Sequence, residues 1–344
     1  MQIDGRRATL GTLAVVIAAS LFGILGPVSR LAGDRAGIET LAFVTWRSLL
    51  GAVVVGCLLA FRMSRGQPIV GVRAMSVRAR SSLLVAAVSG VILNLAIFIA
   101  FARVTVALAL LGFYTYPALV TLAVILIERR RPDRIQLAAL AMATAGMAIV
   151  LLGGVDPASG LSFDVLGLVL ALVAAVAQTV FVLVSRHGYA AVPIDQASFV
   201  VLAGGALGFL AIALLTGTGP AIVSPVSNPI AWSYLVAGGV LGAGIPTTLF
   251  LLGIRWIGGV RSGILALLEP VVGVLLAAIL LNELLRPIQL LGGALVLSAA
   301  FLLQRTPSQP GPQAGPGSDA RQGPAGQSGE ASAEAAGAQP PPLV

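Results

Sequence analysis

EPVVGVLLAAILLNELLRPIQLLGGALVLSA (Glu269–Ala299) repeats the pattern of YPALVTLAVILIERRRPDRIQLAALAMATAG (Tyr116–Gly146). With Pro117 and Pro270 in register, Gln136 falls opposite Gln289, nineteen residues on in each case. In both, an apolar helix follows the proline, then a short polar turn and a second apolar helix. The chain therefore carries two related halves.

Of the 344 residues, 58% are hydrophobic and 10% charged, and the mean hydropathy is +1.00. A soluble domain carries about a quarter charged residues, so the composition predicts an all-α polytopic membrane protein seated in a lipid bilayer. About 20 apolar residues cross the roughly 30 Å of hydrocarbon. Windows of that kind lie at 9–31, 38–61, 81–102, 104–128, 134–153, 161–185, 195–216, 230–252, 258–281 and 287–304. The first follows Arg6 and Arg7 as a signal peptide would, but its long apolar run lacks a small-residue cleavage site and reads as a retained helix. Ten transmembrane helices result, as a five-helix repeat over 9–153 and a second over 161–304. An odd number per half makes the second repeat enter the membrane upside down, the inverted arrangement of many secondary transporters.

All 21 basic residues are arginine, and their distribution sets an orientation. Arg6, Arg7, Arg62, Arg65, Arg73, Arg78, Arg80, Arg129, Arg130, Arg131, Arg134, Arg186, Arg255, Arg261, Arg305 and Arg321 fall on one side. The other side holds Arg30, Arg35, Arg103 and Arg286. This predicts an inner or plasma membrane protein with both termini cytoplasmic: a short N-terminus over 1–8 and a tail over 305–344. The tail is rich in Pro, Gly, Ala and Gln without aromatic residues and reads as disordered.

Several function classes drop out. Without lysine there is no phosphate-binding P-loop and no Schiff base. The formal charge of +8 sits in short inter-helix segments without aromatic interleaving, which does not describe a nucleic-acid surface. Cys57, the single cysteine, reads as a small packing residue, and one histidine, His187, builds no metal site. No HExxH or GxSxG is present, so no enzyme activity, cofactor or metal is expected.

The chain resembles the EamA family of the drug/metabolite transporter superfamily over about residues 9–304. The resemblance rests on LFG (Leu21–Gly23), on Trp46 and Arg47, on the YP segment at Tyr116, and on LLEPVVGVLLAAILLNELLRPIQLLGG, which contains Glu269. It implies export of a small metabolite, often an amino acid, by proton-linked exchange.

An ionisable residue at the centre of a membrane helix costs roughly 2.5–3.5 kcal/mol. Glu269 stands at the midpoint of its window, and Tyr116 at the midpoint of the corresponding one. Each precedes a proline, which frees the carbonyl four residues earlier, on Phe113 and Ala266. Arg47 lies about ten residues into the second window, deep enough to meet Glu269. One reading has Glu269 bind a proton or a substrate amine, with Arg47 as counter-charge or as a clamp for a carboxylate. The other has the two as a fixed structural pair. Asn94, Tyr114, Gln178 and Trp46 complete the candidate substrate-binding set. GAGIPTT (Gly242–Thr248) reads as a gate or a kink, and Gly204/Gly208, Gly238/Gly242 and Gly259/Gly263 have the spacing of close packing, which also suits a homodimer.

The leading expectation is a secondary transporter exporting an amino acid or amine-like metabolite by alternating access, with the proton as coupling ion. An exchanger for an anionic metabolite is the alternative, although Arg47 is the one deep cation available to it. A non-transporting scaffold or receptor would account for the spans but not for Glu269.

Overall fold

The structure, a computed structural model, describes residues 2–129, 132–155, 164–281 and 284–304. The predicted tail, Arg130, Arg131 and the first residues of the sixth window lie outside the described residues. Among those described, nine helices are long and apolar enough to cross a membrane. They are α1 (Gly5–Ala36), α2 (Thr40–Ser64), α3 (Val77–Phe101), α4 (Val106–Ile127), α5 (Arg134–Gly153), α6 (Val165–His187), α7 (Ile194–Leu215), α8 (Pro229–Ile257) and α9 (Gly259–Leu280). The tenth window forms a shorter apolar helix, α10 (Pro287–Leu303). The protein is an all-α polytopic membrane protein.

Leucine, alanine and valine make these helices, and away from their proline breaks the helices satisfy their own backbone, as lipid requires. Large apolar side chains point outward, for example Leu84 at 64% and Ile279 at 71% exposure; facing lipid, they cost nothing. Polar caps start the helices where the chain leaves the apolar layer. Ser76 Oγ accepts from Ala79 N at 3.1 Å, and Asp164 Oδ1 accepts from Gly167 N at 3.0 Å.

The packing follows a rule. α1 lies against α8, α3 against α6, α2 against α7, α4 against α9 and α5 against α10. Adding or subtracting five turns the pair α1/α8 into α6/α3 and returns each of the other three pairs to itself. Along the α5/α10 seam, a Cβ on Gly146 would stand 2.7 Å from the Gly292 carbonyl oxygen, and one on Gly292 2.6 Å from that of Gly146. In the register of the repeat, 153 residues apart like Pro117 and Pro270, these glycines answer to Ala299 and Ala139, both 0% exposed. Small residues thus line both arms of the crossing.

The connections sort into two ends. At one, Asn228 Nδ2 donates to the Ala36 carbonyl (3.3 Å), Arg103 pairs with Asp164 (3.4 Å), and Arg286 Nη1 donates to the Val155 carbonyl (2.8 Å). At the other, Arg62 pairs with Asp195 (2.5 Å) and Arg255 Nη1 donates to the Val192 carbonyl (2.7 Å). Connections that follow odd-numbered helices meet one another, as do those that follow even-numbered ones.

Among the described residues, four helices are interrupted. α1 breaks at Ile24, α4 at Tyr114–Thr115 and α9 at Leu267, while α8 widens into a π-helical turn over Val240–Gly244. Pro27, Pro117, Pro246 and Pro270 stand just downstream. A proline removes the N–H that would bond the carbonyl four residues back, here on Gly23, Phe113, Gly242 and Ala266. Each interruption falls at one of those carbonyls.

All three glycine pairs are used inside the molecule. Gly204 and Gly208 face Ala87 and Val91 of α3, Gly238 and Gly242 face Phe43 and Leu25, and Gly259 and Gly263 face Val182 and Pro117. One expectation fails: Cys57 is exposed rather than packed. In lipid, a small side chain on an apolar helix has no need to face inward.

Candidate functional site

The site grows from the breaks in α4 and α9. Glu269 occupies the first turn of the second half of α9, Leu268–Leu281, at the middle of Gly259–Leu280. The partial positive charge of a helix N-terminus favours a carboxylate there. α1 sets its position. A Cβ on Gly23 would lie 2.8 Å from the Glu269 carbonyl oxygen and 3.0 Å from Gly273 N, so the two backbones touch. This contact gives the glycine of the LFG motif its physical reason.

Across from it, the first half of α4 ends at Phe113 and the second starts at Tyr116. Phe113 packs its ring on Tyr114 (5.0 Å between centroids) and on Tyr116 (5.4 Å). Tyr114 and Tyr116 are almost fully buried. The Tyr114 hydroxyl is a neighbour of the Glu269 carboxylate, placed to interact with it. Tyr116 is hydrogen-bonded to the side chain of Gln178 on α6. Thr179, next in α6, bonds the Ala175 carbonyl at 2.8 Å and reaches the Tyr116 carbonyl at 3.5 Å.

Arg47 of α2 approaches from a third direction. Its Nη2 donates to Asn94 Oδ1 of α3 at 3.1 Å, and Asn94 Nδ2 donates in turn to the Gly90 carbonyl at 2.8 Å. Glu269 acts on Arg47 through space as an opposite charge. Among the described residues the guanidinium spends its hydrogen bond on Asn94, and its Nε is buried without a partner. A buried donor left unmade is uncommon enough to call for an explanation.

Six of the seven expected residues therefore form one polar line through the bundle: Gln178, Tyr116, Tyr114, Glu269, Arg47 and Asn94. Glu269, Arg47, Asn94 and Gln178 are half-buried rather than sealed. Trp46 is the exception. Its Nε1 donates to the Ile222 carbonyl at 2.8 Å, and its ring stands edge-on to Trp232 at 5.3 Å. The indole is thus engaged by the α7–α8 connection and by α8, because one residue along a helix turns a side chain by about 100°. Phe113 was singled out for its carbonyl but not for its ring, and its place in the aromatic run FYTY was the available signal. A separate small apolar cleft, lined by Val150, Val271, Val274, Leu275 and Gln289 among others, lies between α5, α9 and α10 and contains none of this chemistry.

Membrane-length helices around a buried line of carboxyl, phenol, amide and guanidinium groups define a polytopic membrane protein with a polar interior. The EamA-like transporter family model matches the chain twice, over residues 9–152 and 165–305, and the chain belongs to that family. It is a membrane transporter that handles a small-molecule substrate, not an enzyme. One solved crystal structure is similar in fold, with a TM-score of 0.64 and 22% identity, covering 85% of this chain and 96% of that one. No curated protein matches by sequence.

Proposed function

We propose that this transporter exports an amine-bearing metabolite, an amino acid or a relative of one, by alternating access coupled to protons. The observation that carries the reading is the place of Glu269, half-buried in the first turn after the break of α9, seated against α1 at Gly23 and facing the break of α4 with Tyr114 beside it. A half-buried carboxylate beside one phenol has lone pairs left for either a proton or an ammonium group. Competition between the two at one carboxylate is the simplest form of exchange. Arg47, with a spare Nε, supplies the complementary group for a substrate carboxylate, and a guanidinium suits that task.

In this reading ten helices form two inverted repeats of five, 9–153 and 161–304, with both termini in the cytoplasm of a cell carrying the protein in its inner or plasma membrane. The double match to the family model and the packing rule that survives exchange of the halves support it. Movement is assigned to α1, α4, α8 and α9, the interrupted helices. The π turn of α8, so close to α2 that a Cβ on Gly51 would stand 3.0 Å from Gly244 N, serves as the flexible element. Homodimerisation would use a surface other than the three glycine pairs.

The experiment is proton flux in sealed proteoliposomes carrying a pH dye, with pooled amino acids, amines and organic acids added in turn. Wild type and Glu269→Gln are run side by side. Flux driven by amino acids or amines and lost in the variant supports the proposal. Flux driven by organic acids alone favours an anionic-metabolite exchanger, and equal flux in both proteins reduces Glu269 to a structural part.

A further inference from the structure

The connection between α2 and α3 is held in place by the rest of the molecule. Gln196, in the first turns of α7, accepts from Val70 N at 3.0 Å and donates to Val70 O at 2.7 Å. Arg62 Nε donates to Gln67 Oε1 at 2.5 Å. Ala74 N and Met75 N both bond the Gly71 carbonyl, at 2.9 and 3.1 Å, and Met75 is 6% exposed.

This fixed segment and the first turn of α3 present Arg65, Arg73, Arg78 and Arg80, all exposed. The sequence has no acidic residue between Glu39 and Glu128 to neutralise them. Asp195, the carboxylate that reaches this end from α7, is already taken by Arg62.

Their depth follows from their neighbours. Lipid-facing apolar side chains continue to Phe61 and Met63 on α2 and resume at Val77 and Leu84 on α3. At 1.5 Å per residue, Arg65, Arg78 and Arg80 stand within about 6 Å of those side chains along the helix axes. The headgroup layer is about 5–7 Å thick on each side. The Arg65 guanidinium lies over the Phe61 ring at 5.0 Å. Ile69 and Val72, 41% and 66% exposed, project among the arginines. Exposed aliphatic side chains interspersed with cations suit the boundary between acyl chains and headgroups.

We propose that the α2–α3 connection is a docking surface for anionic phospholipid headgroups, with Arg65, Arg73, Arg78 and Arg80 as the phosphate-binding groups. Because Gln196 ties the same segment to α7, a bound headgroup also steadies the contact between α2 and α7.

The test compares phosphatidylglycerol with phosphatidylcholine for association with the full-length protein, in wild type and in Arg73→Gln/Arg78→Gln/Arg80→Gln. Arg30→Gln/Arg35→Gln, at the opposite end, is the control. Wild type prefers phosphatidylglycerol, and the triple change lowers that preference by about fivefold or more, one arginine's share near an anionic surface. The control retains it. Added salt weakens the wild-type preference, a readout that needs no variant. Equal binding of the two lipids by wild type overturns the proposal, as does a preference that survives the triple change, whatever its response to salt. A preference lost only in the control overturns it as well.

Discussion

Gly23 and Glu269 meet backbone to backbone, with 2.8 Å between the place of a Cβ on Gly23 and the carbonyl oxygen of Glu269. The obstacle is main chain rather than a side-chain tip, so nothing swings aside. Gly23→Ala is expected to separate α1 from α9 at the break and to destabilise the protein by about 1–3 kcal/mol, the cost of overpacking. Thermal unfolding in detergent measures it. An unchanged melting temperature would show that the contact is looser than drawn.

Tyr114→Phe removes the hydroxyl beside Glu269 and keeps the ring that packs on Phe113. With the carboxylate no longer steadied by that hydroxyl, substrate affinity should fall by roughly tenfold, about 1.4 kcal/mol. The protein should still fold. Equilibrium binding of the responding substrate, measured on wild type and variant, checks both statements.

Arg62 and Asp195 join α2 to α7 across the halves, with side-chain exposures of 33% and 5%. Removing Arg62 leaves a buried carboxylate without its cation. Between the cost for exposed pairs and that for buried ones, Arg62→Gln should lose about 2 kcal/mol. The double change Arg62→Gln/Asp195→Asn should recover part of that loss, since the stranded charge is gone. Unfolding of the four proteins of the cycle measures the coupling directly.

Asp164 caps α6. The Gly167 N–H, and with it the nearby Arg103, holds its carboxyl below the usual aspartate range. A carboxyl depressed in the folded state contributes stability above its unfolded value and loses it as pH falls through the folded one. Wild type should therefore lose melting temperature in acid, below about pH 3.9, more steeply than Asp164→Asn. Parallel curves would remove the cap from the list of acid-sensitive contacts.

Proline and glycine made the architecture readable. Pro117 and Pro270 located the breaks in α4 and α9, because a missing N–H acts on its own helix and needs no knowledge of neighbours. The glycine pairs were legible as packing for a similar reason, since only a missing side chain lets helices approach. Which way a side chain points was harder to read. Trp46 and Arg47 are adjacent, yet one is held at the α7–α8 connection and the other reaches Asn94. Lipid is as apolar as leucine, so these helices show no polar stripe to mark an outer face. The exposure of Cys57 was hidden by the same lack of contrast. The ring of Phe113 was harder to read than its carbonyl, because the run FYTY shows that aromatic residues gather there but not which ring stacks on which.

The register that sets Pro117 against Pro270 also sets Tyr116 against Glu269. Had the two halves stayed separate copies of one gene product, that position would carry one residue twice, either two carboxylates with like charge or two phenols. Within one chain the two positions carry different groups, a phenol in the first half and a carboxylate in the second. The result is a chemically lopsided centre inside a nearly even-handed frame.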